Sequence, residues 1–284
     1  MPIELTTKFA KKIDERFTTG ALSTLGINND YDWAGAATIK VTSVDVVPLG
    51  DYKRAGLSRF GTPEELENSL QELTLTQDKS FTFTIDKMNE EETEMKAGQA
   101  LARQIKEVVI PHVDTYRFGQ MVKHAGHVVE GDLTAKTAYE AVVTGTEVLD
   151  DAEVPENRVL FTDAAFIKYL KLSDGYVKAS DLAQSKIVFK GQVAELDGMP
   201  IVKVPSKRLN GANFIICHKS ATVAPVKLAE YRLHKDPPGI SGSLAEGRVY
   251  FDAFVLKNKK AAIYVHKKKE SIGGDTKTPT KPKS

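Results

Sequence analysis

Three groups of residues in this chain carry side chains capable of chemistry, and their spacing decides what each can do. Cys217 stands beside His218, a thiol next to a base. Both lie in the apolar run 213–218, which reads as a strand, and adjacent strand side chains point to opposite faces. They cannot form a nucleophile–base pair with each other, so Cys217 is expected in the core. His112, His124 and His127 follow a predicted helix and its end at steps of twelve and three, roughly on one side. Without a neighbouring carboxylate they read as solvent-facing rather than as a metal centre. Asp151, Glu153 and Glu156 match no calcium-loop spacing and read as a solvated acidic turn. The chain has no G-x-x-x-x-G-K-[ST], G-x-G-x-x-G, H-E-x-x-H or G-x-S-x-G motif. Tyr139, Tyr169, Tyr176 and Tyr231 lack the periodicity of a base-stacking platform. No catalytic residue, cofactor or metal is therefore expected, and the chain reads as a non-enzyme.

Composition agrees with an ordinary folded chain. The 284 residues are 41% hydrophobic and 27% charged. The single cysteine excludes an internal disulfide framework. No apolar run of about 18 residues is present, so no membrane helix is expected. Residues 1–16 are charged and amphipathic and have no signal-peptide core. The net charge is +1, but residues 267–284 hold six lysines against Glu270 and Asp275, leaving the rest at −3. A nucleic-acid binder normally shows the opposite balance. Residues 267–284, with Gly273, Gly274, Pro279 and Pro282, are expected to be a disordered basic tail.

The element around which the rest is arranged is 88–125. Asn89 and Glu92 form a capping box, and Met95, Leu101, Ile105, Val108, Val109, Val113, Tyr116 and Val122 make one apolar stripe. Pro111 is expected either to bend this helix or to split it at Ile110, and Gly126 to stop it. Ahead of it, 6–16 suits a short amphipathic helix, and residues 1–35 read as an extended arm that lies on something else. Residues 37–47 alternate as a strand, with a slip at Ser43 that predicts a bulge. A second alternating run, 69–86, is interrupted at Gln77, Asp78 and Lys79. Together they predict a long two-stranded ribbon, marginal by itself in water, around the charged segment 51–68.

Beyond the long helix, 134–149 and 163–172 predict helices, and 158–162, 187–196, 201–204 and 213–218 predict strands, with 197–200 a turn. Residues 223–233 are amphipathic, 236–247 read as a flexible loop, and 248–256 with 261–266 as a closing hairpin about 257–260. The fold class is α+β, with an α/β block inserted between two parts of one domain.

Particular stretches carry a resemblance. The run Leu73-Thr74-Leu75-Thr76-Gln77-Asp78-Lys79-Ser80-Phe81-Thr82-Phe83-Thr84-Ile85-Asp86, followed by Met88-Asn89-Glu90-Glu91-Glu92-Thr93, resembles the ribbon-to-spine passage of tailed-bacteriophage major capsid proteins, the Hong Kong 97-type fold. Val109-Ile110-Pro111-His112-Val113-Asp114-Thr115-Tyr116-Arg117 is similar to their spine helix, and Gly198-Met199-Pro200-Ile201-Val202 to a late turn and strand of their axial domain. The similarity spans about residues 35–266, and its ribbon–spine part is the specific one.

The resemblance implies an N-terminal arm (1–35), an extended β-hairpin loop (36–87), a peripheral domain with the spine helix (88–133 and 223–266), an axial domain (134–222) and the tail (267–284). It implies a shell subunit that self-assembles through pentamers and hexamers around double-stranded DNA, held without sequence specificity. Assembly would take place in the bacterial cytoplasm and the product would be a virion. A portal and a separate scaffolding protein would be partners, unless residues 1–30 do the scaffold's work uncleaved. An encapsulin-type nanocompartment keeps the fold and changes the cargo, and an α/β hydrolase is the third reading. At the tip of the extended loop, Lys53, Arg54 and Arg59 with Glu64, Glu65 and Glu67 would contact the adjacent subunit. Reversing the sign of both Arg54 and Arg59 should then block assembly and leave a folded monomer, as read by size-exclusion chromatography; normal shells would contradict that role.

Overall fold

The computed structural model describes residues 21–31, 38–44, 51–52, 54, 59–60, 68–87, 97–173 and 192–269. The expected helix 6–16, the capping box at Asn89 and Glu92, and residues 187–191 lie outside them.

The central element is a helix of 28 residues, about 42 Å long at the usual rise. It consists of α1 (Ala97–Gln104), a π-helical turn (Ile105–Val109) and α2 (Ile110–His124). Pro111 neither splits it nor ends it. The amide of Ile110 donates to the Ile105 carbonyl, five residues back. One wide turn just before the proline thus accommodates its missing donor and its ring. The stripe is buried at Leu101, Ile105, Val109, Val113 and Val122, whereas Val108 faces out at 51% exposure.

The helix packs on two sheets in succession. Its first half meets a three-stranded sheet made of β3 (Gln77–Asp86), β10 (Val226–Lys235) and β11 (Gly242–Phe251), with β11 in the middle. Leu101, Ile105, Val109, Ile110 and Val113 form one cluster there with Tyr231, Val249 and Phe251. Phe118, Met121 and Val122, further along, belong to a larger core over a six-stranded sheet. Its strands are β4 (His127–Glu130), β5 (Arg158–Thr162), β6 (Gln192–Leu196), β7 (Met199–Lys203), β8 (Ala212–His218) and β13 (Ile263–Lys267). They lie in the order β4-β13-β8-β5-β7-β6. Helices α3 (Ala138–Asp151) and α4 (Ala164–Lys171) complete the core. Asp163 caps α4, its carboxylate accepting from the amide of Phe166 at 2.7 Å, which satisfies one of the free donors of the first turn. A short antiparallel pair, β9 (Thr222–Val223) and β12 (Phe254–Val255), lies between the two sheets in sequence.

The ribbon is present in part: β1 (Thr38–Val44) pairs antiparallel with β2 (Asn68–Thr74), from Thr38 opposite Thr74 to Val44 opposite Asn68, whereas the rest of the expected second arm, β3, pairs with β11 instead. Four expectations about this part and its partners need correction. Register runs unbroken through Ser43 opposite Ser69, so no bulge forms there. The interruption falls at Leu75 and Thr76 rather than at Gln77–Lys79, which begin β3, because Thr76 is drawn aside by hydrogen bonds to Asp252. Residues 236–247 are not one loop. The Asp236 side chain accepts from Gly242 N while its own amide donates to the Gly242 carbonyl, closing a turn from which β11 starts. The closing hairpin does not form either. β11 lies between β10 and β3, while β13 lies between β4 and β8 in the other sheet. The sequence-adjacent partner loses because β10, itself a strand rather than part of an undefined amphipathic run, pairs with β11 along nearly its whole length.

Tight turns explain two further details. Asp197 and Gly198 have φ of 51° and 71°. Both values are positive, as a two-residue hairpin turn requires, and the turn leaves Met199 and Pro200 in β7. Gly126 follows the end of the long helix, but its role is close approach. Its amide donates to the Lys260 carbonyl at 2.8 Å, and a Cβ there would lie 2.6 Å from that oxygen and 2.7 Å from Ala261 Cα. Gly126→Ala should therefore cost on the order of 1–3 kcal/mol, the usual penalty when packed backbone must shift. Urea denaturation checks this, and an unchanged midpoint would contradict it.

Candidate functional site

The polar groups that organise the molecule are two buried carboxylates, and each joins the long helix to a segment far away in sequence. Asp114 of α2 is fully buried. It accepts from Leu22 N at 3.0 Å, Ser23 N at 3.3 Å and Ser23 Oγ at 2.7 Å, and it pairs with Arg208 Nη1 at 3.2 Å. Arg117, one turn on, donates to Ser23 Oγ at 3.2 Å and to the Ala224 carbonyl at 3.3 Å. Burial pushes its pKa down to about 10, with Asp114 opposing the shift, so it stays charged at neutral pH. Residues 21–31 are thereby strapped across the helix. The strap continues where Asn28 N donates to Thr222 O at 2.8 Å, and where Gly26 lies against Phe161 and Cys217 too closely for a side chain.

Asp252 is the second node. Its Oδ2 accepts from Thr76 N at 2.8 Å and Thr76 Oγ1 at 2.9 Å, and its Oδ1 from Tyr116 OH at 2.7 Å and Ala253 N at 2.8 Å. Burial, and then the bonded carboxylate, raise the Tyr116 phenol to about 12. Tyr250 OH donates to the Leu75 carbonyl at 2.9 Å. The corner between β2 and β3 is thus fixed to the helix on one side and to β11 on the other. Just above it, the Gln71 side chain donates to Val255 O at 3.3 Å and accepts from Lys257 N at 2.9 Å. Leu73 is buried against Val223 and Leu256.

Among the described residues, only the base of the ribbon is held in this way. Thr38, Lys40, Thr42 and Glu72 are exposed, and Leu70 is 53% exposed. The tip residues named from sequence are placed in part. Arg54 and Arg59 are exposed, while Lys53, Glu64, Glu65 and Glu67 lie outside the described residues. Beside them, Phe60 is 92% exposed and meets Tyr52 edge-on at 5.1 Å. Sequence reasoning counted the charges of this segment and passed over its two aromatics.

The remaining candidates stand apart from one another. Cys217 is fully buried, and burial pushes its thiol up to about 12. His218 Nδ1 lies 2.8 Å from Ser220 Oγ. His112 and His124 are exposed on the helix and His127 is half-buried in β4; among the described residues no three metal-ligating side chains gather. Asp151, Glu153 and Glu156 are exposed. The two carboxylate nodes were not singled out from sequence. A signal was available for the first: Asp114, Arg117, Phe118 and Met121 recur at short helical steps, so two charged residues continue the apolar stripe.

Asp114→Asn keeps the shape and removes the charge, leaving Arg117 and Arg208 without their carboxylate. The expected loss is roughly 3–5 kcal/mol, as for breaking one side of a buried pair. Limited proteolysis should cut near 21–31 sooner in the variant; unchanged stability and cleavage would contradict the strap.

Comparison with protein-family models finds no match, and none is found among curated proteins. Solved structures do match. A chain from Mycobacterium phage Che8 is 17% identical with a TM-score of 0.68, over 87% of this chain and 90% of that one. The capsid of cyanophage P-SCSP1u gives 12% and 0.65, over 84% and 85%. The mature capsid of bacteriophage PhiM1 gives 11% and 0.64, over 84% of each. At these identities the likeness is one of fold: the chain has the Hong Kong 97-type fold of tailed-phage capsid proteins.

Proposed function

We propose that this chain is a structural shell subunit, the major capsid protein of a tailed phage or prophage. The observation that carries the reading is likeness of fold to capsid structures over most of the chain, 84% of each chain in the case of the PhiM1 mature capsid. The physics of the described parts supports it. A two-stranded ribbon that, among the described residues, is anchored at its base alone leaves its outer backbone edges unpaired and is marginal by itself, so it calls for a surface to lie on. Repeated heterologous contacts around closed rings supply such surfaces.

In this reading residues 1–35 are the arm, 36–87 the extended loop, 88–133 with 223–266 the peripheral domain, 134–222 the axial domain and 267–284 a basic tail. Subunits assemble through pentamers and hexamers into an icosahedral head, with a portal and a separate scaffolding protein as partners and double-stranded DNA as contents. The loop tip, from Lys53, Arg54 and Arg59 to Glu64, Glu65 and Glu67, lies on the neighbouring subunit. Mixed charges there set register and partner choice more than affinity. The product is a virion built in the host cytoplasm.

Electron microscopy of the purified protein, alone and co-expressed with its neighbouring genes, is the test. Closed shells or five- and six-fold rings are expected. Monodisperse monomers under both conditions would contradict the reading, and shells filled with a cargo enzyme would reassign it to a nanocompartment.

A further inference from the structure

The six-stranded sheet brings its charged connections to one end in two groups of opposite sign. Register shows which strand ends coincide. Arg158 of β5 lies opposite His218 of β8, Cys217 opposite Ile263 of β13, and Tyr264 of β13 beside His127 of β4. Because β7 runs parallel to β5 and antiparallel to β6, the Asp197–Gly198 turn comes to the same end. Across the strand order, β4, β13 and β8 bring Lys123 with His124, then Lys257, Lys259 and Lys260, then Lys219. The segments 123–127, 218–222 and 257–262 contain no Asp or Glu. β5, β7 and β6 bring Asp150, Asp151, Glu153 and Glu156, then Asp197.

The cationic half is one continuous surface. Leu256 N donates to Ala221 O at 3.0 Å, and Gly126 N to Lys260 O at 2.8 Å, which ties its three segments together. Lys123, Lys219, Lys257 and Lys260 are exposed, and among the described residues none of them forms an ion pair. His218, at the seam, is held below its ordinary pKa by burial first and then by Lys219, Lys259 and Arg158. Arg158, the cation that β5 brings to the acidic half, is buried and meets Asp150 at 2.6 Å, and Asp151, Glu153 and Glu156, all exposed, form no ion pair among the described residues. With strands about 4.8 Å apart, three strands make each half roughly 10–15 Å wide. That exceeds the screening length of about 8 Å at physiological salt, so the two potentials stay distinct.

On the footing of the shell reading, we propose that this end of the sheet is a contact between two copies of this chain, the cationic half of one lying on the anionic half of the other. Charge complementarity identifies the partner: both signs stand on one molecule, side by side, so a second copy presents what each half lacks. A nucleic acid would match one half and be repelled by the other.

The test is a charge swap. One variant carries Lys219→Glu, Lys257→Glu and Lys260→Glu; a second carries Asp151→Lys, Glu153→Lys and Glu156→Lys; a third carries all six. Shell yield is read by sedimentation and electron microscopy, with the thermal midpoint as the folding control. Each three-site variant should lose at least tenfold in shell yield, and the six-site variant should regain it. The same three lysines changed to Gln should give an intermediate loss, a milder check that keeps the fold. Normal shells from either three-site variant, or no recovery in the six-site variant, would overturn the proposal while wild-type shells keep the shell reading intact. Cationic-half variants that form normal shells with less nucleic acid would assign that half to the polyanion instead. Wild-type protein that forms neither shells nor rings overturns both.

Discussion

The Asp114 carboxylate is the constraint on which the rest of this structure depends. A charge fully removed from water is costly unless it is paired and hydrogen-bonded, and here it is both. Its partners come from two places, the strap at Leu22 and Ser23 and Arg208 in the connection between β7 and β8, while Arg117 braces the same Ser23 from the next helical turn. Because any missing partner would leave a buried charge facing an apolar core, these segments can only be arranged together. One side chain thereby sets how the strap and the six-stranded sheet sit on the long helix. Asp252 does the same for the ribbon corner and the three-stranded sheet, through Tyr116.

Between these nodes the helix acts as a beam. Its first half is buried on one sheet and its second half on the other, and Tyr116 packs against both cores. The π-helical turn lies in the first half, where Pro111 would otherwise clash, and a single helix survives across both sheets. Among its described residues the ribbon gains nothing from this frame beyond its base. Its strands satisfy each other on one edge only. Lys40 with Glu72, an exposed pair at 2.9 Å, adds little in high dielectric. A frame this well determined, carrying an element this poorly covered, suits a subunit whose remaining contacts come from its neighbours.

Much of this was legible before the fold was seen. Alternation marked β1, β2 and β3, the apolar run 159–161 marked β5 as a buried strand, and the fully apolar run 214–217 marked β8, because such strands are buried on both faces. The stripe from Leu101 to Val122 marked the helix. What escaped has a physical cause in each case. β10 and β11 alternate charges outward, with Glu230, Arg232, Glu246 and Arg248 facing solvent or half-exposed, and the glycines and prolines between them read as a loop until Asp236 and Gly242 are seen to close a turn. β13 pairs with β4 and β8, residues too distant in sequence for any local pattern to report. Asp252 looks like a surface carboxylate in the sequence and only its tertiary partners distinguish it, whereas Asp114 is marked solely by its place in the apolar stripe. At the ribbon tip, charge drew notice and Phe60, almost wholly exposed, did not.

The central claim is that the frame is complete in one subunit and the ribbon is not. Amide hydrogen exchange, compared between the free subunit and the assembled shell, tests it most directly. Amides of 42–44 and 68–70, beyond the anchored base, should exchange fast in the free subunit and become strongly protected on assembly, while those of 105–122 are slow in both states. Ribbon amides equally protected in the free subunit, or unprotected in the shell, would contradict the account.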